Sequence, residues 1–145
     1  MTRPWVANRP LREAVAWEPD GETVCVSITD PGDEARLPEF LAVHRECFED
    51  WDSEPMESGV VRKYPDTAVL MMGGQAKRIA DFVTEHRGRN ILVHCHAGVS
   101  RSAGVVEAIL AAFPEYEDRG YPRHPNGRVK SLMTRALGVV PIGAA

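Results

Sequence analysis

The segment NILVHCHAGVSRSAGVVEAILAAF, residues 90–113, limits the fold more than any other stretch of the chain. An apolar run of strand length, Ile91 to Val93, leads into Cys95 and a glycine-containing turn. Apolar residues then recur at helical spacing, Val105, Val106, Ile109, Leu110 and Phe113, until Pro114 stops the helix. A buried strand that turns directly into a helix is half of a β–α–β unit, so the chain needs at least one parallel partner strand.

Other segments supply the partners. TVCVSI, Thr23 to Ile28, is β-branched, follows the turn PDG and is stopped by TDPGD; it reads as a buried strand that places Cys25 in the core. FLAVHRECF, Phe40 to Phe48, reads as a further strand leading into acidic EDWDSE. GQAKRIADFVTEHRG sets Ala76, Ile79, Ala80, Val83 and His86 on one helical face, with Phe82 at its border and Gly88 ending the helix. NGRVKSLMTRALG does the same with Val129, Leu132, Met133, Ala136 and Leu137, with Gly138 as its stop and a frayed tail beyond. The expectation is a single α/β domain over residues 1–145. Its central, mostly parallel sheet is flanked by helices, with a phosphate-binding loop between a strand and a helix. Residues 56–74 mix Pro, Gly and charge without a sustained period. That is long for a compact connection, where loops beyond roughly 12 to 15 residues are often functional, and it is read as a mobile flap.

The 145 residues carry a net charge of −4, which argues against a general binder of nucleic acid or anionic membranes. The three cysteines are widely spaced, with no paired motif for zinc or a disulfide framework, and no His or Cys spacing supports a metal site. No run approaches the roughly 20 apolar residues of a membrane span, and the first residues contain no apolar signal core. The expectation is a soluble, cytoplasmic protein without metal or cofactor, with oligomeric state left open.

Cys95 stands where a strand ends and a helix begins, beside the unpaired N–H groups of the first turn and the positive end of the helix dipole. That setting stabilises a thiolate. An arbitrary cysteine after an apolar run is more often core, but here Gly98 lets the backbone fold tightly, successive N–H groups can point inward, and Arg101 offers a planar fork to two oxygens. Nucleophile and anion cradle share one loop, and a tetrahedral phosphate ester fits both.

HCHAGVSRS, with cysteine, five residues and arginine, preceded by histidine and followed by serine, resembles the phosphate-binding loop of the cysteine-dependent protein phosphatases. The AGVSRS form is similar to that of the dual-specificity branch and its small bacterial and phage relatives. The likeness extends more weakly to FEDWD, AKRIADFV and HPNGRVKSLMTRAL, roughly residues 24–138, and leaves Asn8 to Asp20 without a reading. The resemblance implies that Cys95 forms a phosphocysteine and Arg101 stabilises the transferring phosphoryl group. Backbone amides of His96, Ala97, Gly98, Val99, Ser100 and Arg101 would bind its oxygens. Ser102 matches the hydroxyl that assists the thiolate, and His94 the histidine that tunes the thiol from behind, although a satisfied core histidine is the competing reading.

Such an enzyme also needs a carboxylic acid to protonate the leaving oxygen. Asp50 at a strand end is favoured over Asp66 in YPDT, with Asp52 third, and Asp66 also suits a plain turn residue after Pro65. The loop interior has no lysine or arginine before Arg101, which favours phosphotyrosine, or phosphoserine and phosphothreonine, in a protein or peptide over inositol phosphates. Two rivals stand beside this. One is a phosphate-binding interaction module without turnover. The other is a thiol redox enzyme of the arsenate reductase kind, which needs Cys25 or Cys47 as resolving cysteine. RGYPRHPNGR reads either as an electropositive rim or as a solvated loop.

Overall fold

The computed structural model describes residues 2–52 and 64–139. Five strands form one sheet: β1 Trp5–Pro10, β2 Thr23–Thr29, β3 Ala42–Cys47, β4 Asn90–Cys95 and β5 Glu117–Asp118. Their order is β3-β2-β4-β1-β5, and every pairing is parallel. The helices are α1 Leu11–Val15, α2 Gly73–Glu85, α3 Arg101–Ala112 and α4 Gly127–Ala136. Among the described residues no helix is long and apolar enough to cross a membrane.

The alternation along the central strands divides the core. Val24, Val26 and Ile28 of β2 and Ile91, Val93 and Cys95 of β4 face the large cluster that buries Ile79, Ala80 and Val83 of α2, Val106 and Ile109 of α3, and Met133 of α4. Cys25 and Leu92 face the opposite side with Trp5, Ala7 and Ala14, where among the described residues the short α1 and the side chains of Trp17, Leu37 and Phe40 cover the sheet. The expected α/β architecture is therefore present. Residues 53–63 and 140–145, which include the first part of the expected flap and all but the start of the expected frayed tail, lie outside the described residues.

Two strands escaped the sequence analysis. β1 lies in a stretch that carries no alternation: its interior holds buried Asn8 and it ends on Arg9 and Pro10, yet it sits between β4 and β5 with Asn8 opposite Val93. β5 is two residues long, below the length at which periodicity exists.

Polar contacts fix the ends of the elements. Gln75 accepts from Met72 N at 2.9 Å, closing the first turn of α2, and donates to Cys47 O at 2.9 Å, tying that helix to the end of β3. Glu46, buried on β3, takes both arms of Arg78 at 2.8 and 2.9 Å and lies 2.7 Å from His44. Burial raises the Glu46 carboxyl, but the hydrogen bonds and charges of Arg78 and His44 together outweigh it and hold the carboxyl below its ordinary value.

The three thiols differ in setting. Burial pushes the Cys25 thiol up to about 12, with Arg45 only partly opposing, whereas Cys47 is exposed beside Thr29 Oγ1 at 3.3 Å. An aryl disulfide reagent at pH 8 is expected to modify Cys47 in the folded protein and to reach Cys25 only after denaturation. Mass spectrometry of the modified peptides checks this, and rapid labelling of Cys25 in the native state would contradict the burial.

Candidate active site

Parallel α/β sheets bind ligands outside the carboxyl ends of their strands, where neighbouring connections leave in different directions. β2 connects outward to β3, while β4 leads through α3 past β1 to β5, so the gap above β4 is such a place. Cys95 ends β4 there, and His96 to Ser100 form the loop before α3.

The loop is held by its carbonyl groups. His96 O accepts from Leu11 N at 3.1 Å, Val99 O from His124 N at 2.8 Å, and Ser100 O from Asn126 N at 3.0 Å. Gly98 O accepts from the buried Asn8 side chain, through Nδ2, at 2.6 Å. In a planar trans peptide the following N–H points opposite to the carbonyl, so these four contacts turn the N–H groups of Ala97, Val99, Ser100 and Arg101 to the other side of the loop. Among the described residues the N–H groups of Val99, Ser100 and Arg101 meet no protein acceptor. Such a concavity of amides at a helix start suits an oxyanion.

Gly98 is required by two independent constraints. Its φ is +78°, and a Cβ there would stand 2.3 Å from Pro10 N and 2.4 Å from Arg9 C. The end of β1 thus presses against the loop, which explains why the unreadable N-terminal stretch matters.

The Cys95 sulfur is 2% exposed as a residue, receives the Gly98 N–H at 3.3 Å and lies 3.2 Å from Ser102 Oγ. His94 is fully buried behind it, with Nε2 2.6 Å from Ser27 Oγ and Nδ1 3.4 Å from Cys95 O. A carbonyl can only accept, so Nδ1 carries the proton and Nε2 accepts from Ser27. Burial holds the His94 pKa below its ordinary value despite the opposing contact to the Cys95 carbonyl, so the ring is neutral at pH 7.

Arg101 is 5% exposed. Its Nη1 donates to Asp30 Oδ1 at 2.8 Å and to Phe48 O at 2.7 Å, so it gathers the ends of β2 and β3 around the start of α3. Its Nε is buried without a hydrogen-bond partner among the described residues. One nitrogen is therefore committed to the protein, and the fork keeps a donor for an oxygen ligand.

The aspartates separate by position. Asp50 Oδ1 accepts from Ser100 Oγ at 2.7 Å and from Asn126 Nδ2 at 2.8 Å, which puts its carboxylate on the loop. Asp52 accepts from Gly127 N at 3.0 Å, at the first turn of α4. Asp66 is exposed in the turn that Ala68 N closes on Pro65 O, and among the described residues no hydrogen bond joins it to the loop. Of the arginines proposed as an electropositive rim, Arg123 is held by Asp118 at 2.8 and 2.7 Å and by Glu107, and Arg119 by Glu117 at 3.2 Å. Those two charges are paired with neighbouring carboxylates, whereas Arg128 of the same segment donates to the Met71 carbonyl at 2.9 Å.

Three residues of this arrangement were not singled out in the sequence. Asn8 had no pattern around it. Asp30 stood in TDPGD as a strand stop, although a carboxylate just past a central parallel strand was a usable signal. Asn126 was legible only as a helix start, and it does cap α4 by accepting from Val129 N at 3.1 Å. Among the described residues no group of three or more His, Cys, Asp or Glu is placed to hold a metal ion.

Two outcomes follow. Asn8→Ala strands the buried Gly98 carbonyl and is expected to cost about 1–3 kcal/mol in urea denaturation. His94 binds a proton less readily folded than unfolded, so its contribution is present above its ordinary value of 6.5 and is lost as pH falls below it. The melting temperature of wild type should therefore drop more steeply below pH 6.5 than that of His94→Gln. Compared with protein-family models, curated proteins and solved structures, the chain matches none. It stands as an enzyme-like α/β fold with a polar loop at the carboxyl edge of its sheet.

Proposed function

We propose that the protein hydrolyses phosphate monoesters through a phosphocysteine intermediate, with phosphotyrosine in proteins or peptides as the first substrate class. The observation that carries this reading is the loop itself. Its carbonyls are tied outward, its N–H groups turn the other way beside the Cys95 thiol, and Arg101 keeps a buried donor without a partner.

In the first step the Cys95 thiolate attacks phosphorus, forming the S–P bond as the ester P–O bond breaks, and Asp50 delivers a proton to the leaving oxygen. Loop amides and Arg101 hold the three equatorial oxygens, whose charge is the main thing such a site must stabilise. In the second step Asp50 takes a proton from water, the water oxygen bonds to phosphorus, and the thiolate leaves. The Gly98 N–H and the Ser102 hydroxyl support that thiolate, and inorganic phosphate is the product.

Asp50 is proposed over Asp66 and Asp52 because its carboxylate is bound to the loop through Ser100. The redox rival lacks support. Cys47 lies two strand spacings from β4, about 9.6 Å at ~4.8 Å each, beyond the ~7 Å limit between Cα atoms for a disulfide. Cys25 pairs with Leu92, three residues before Cys95, and points to the opposite face.

The test is hydrolysis of an aryl phosphate under reducing conditions with chelator, from pH 5 to 8. Wild type is expected to turn over, and Cys95→Ser to be inactive. Asp50→Asn should lose roughly 10²–10⁴-fold in kcat together with the alkaline limb of the profile, since an acid must be protonated to act. Asp66→Asn should keep that limb. A folded wild type that binds vanadate without turnover would replace this reading with the phosphate-binding interaction module.

A further inference from the structure

Two clefts share Asp30, the carboxylate that accepts from Arg101, as a lining residue. One also carries Glu49, Asp50, Trp51 and Val69; the other carries Asp33, Glu34 and His96. Among the described residues no lysine or arginine lines either cleft. Of the cations held close to the loop, Arg101 is paired with Asp30 and Arg123 with Asp118. Asp33 and Glu34 are exposed, and their carboxylates make no ion pair among the described residues.

The centre and the walls of the site therefore have opposite preferences. The loop amides and the buried, unpartnered Nε of Arg101 point to an anion at the centre. That anion uses the cationic capacity of Arg101, and among the described residues the carboxylates that line the clefts then face no lining cation. A substrate with further negative charge meets repulsion on both sides, whereas one that brings its own cations completes the balance. Trp51 and Val69 add apolar surface for a ring or an alkyl stem.

We infer that the site selects phosphorylated peptide segments carrying lysine or arginine on both sides of the phosphorylated residue, and discriminates against acidic segments and polyphosphorylated small molecules. This rests on the phosphate-ester reading of the loop. It adds a charge rule that the loop sequence alone does not contain.

The experiment measures binding of labelled phosphotyrosyl peptides to Cys95→Ser, which reads recognition without turnover. Three peptides differ only in flanking residues, lysine, alanine or glutamate, and an unphosphorylated lysine peptide is the control. Affinity is expected to fall in the order lysine, alanine, glutamate, with about tenfold or more between the ends at low salt and a much smaller spread at 0.5 M salt. Introducing Asp33→Lys together with Glu34→Lys should collapse or reverse the order.

Equal affinities for the lysine and glutamate peptides would overturn the inference. So would an order untouched by the double substitution, or equal binding of the unphosphorylated peptide. Aryl phosphate hydrolysis by wild type reports separately on the reading beneath. Hydrolysis without a peptide order removes only the charge rule, whereas a peptide order without hydrolysis keeps the rule and removes the enzyme.

Discussion

The loop conformation depends on the contact between the end of β1 and Gly98. Asn8 donates to the Gly98 carbonyl, while the Arg9–Pro10 backbone fills the space where any other residue would carry its Cβ. If that carbonyl turned inward, the amide behind it would turn outward, and the concavity beside Cys95 would lose a donor and gain a repulsive oxygen. The other outward contacts, from Leu11, His124 and Asn126, repeat the same device along the loop. Two separate parts of the chain, residues 8–11 and 124–126, thus hold one short segment in a conformation that it has no local reason to keep.

The fold was legible where periodicity was strong. The strand at Thr23, the strand at Ile91 and the helices after Gly74, Arg101 and Asn126 were all marked by apolar spacing and by turn residues at their ends. What remained hidden was β1, because a strand whose central residue is a buried, hydrogen-bonding asparagine shows no apolar pattern. β5 was hidden because two residues have no period. The loop was legible because its residue types are unusual in combination, but its supports were not. Asp30 and Asn126 look like ordinary turn and capping residues until the sheet brings β2, β4 and α4 together. The choice among Asp50, Asp52 and Asp66 shows the same limit, since only their tertiary placement separates a carboxylate bound to Ser100 from one in an exposed turn.

The division of the core follows the same logic. Most apolar side chains lie between the sheet and the three longer helices, while the buried polar residues Asn8, Ser27, His94, Arg101, Ser102 and Asn126 collect toward the carboxyl ends of the strands. A buried polar group is costly unless it is satisfied. Here most are satisfied by one another or by the loop backbone, and the exception is Arg101 Nε. That donor sits on the side chain that joins the ends of β2 and β3 to the start of α3.

The supports of the loop also bear on when the site exists. Asn8 and Asn126 are at nearly opposite ends of the chain, and Cys95 lies between them, so the concavity is made by contacts of very long sequence separation. Closing such contacts is entropically expensive and comes late in folding. A nascent chain that has completed β4 and α3 already carries the cysteine and the arginine but not the backbone orientation that gives them a shared purpose. The contacts from Asn8 and Leu11 can form once β1 and β4 pair, and those from His124 and Asn126 complete the loop only when the segment leading into α4 docks against the finished sheet.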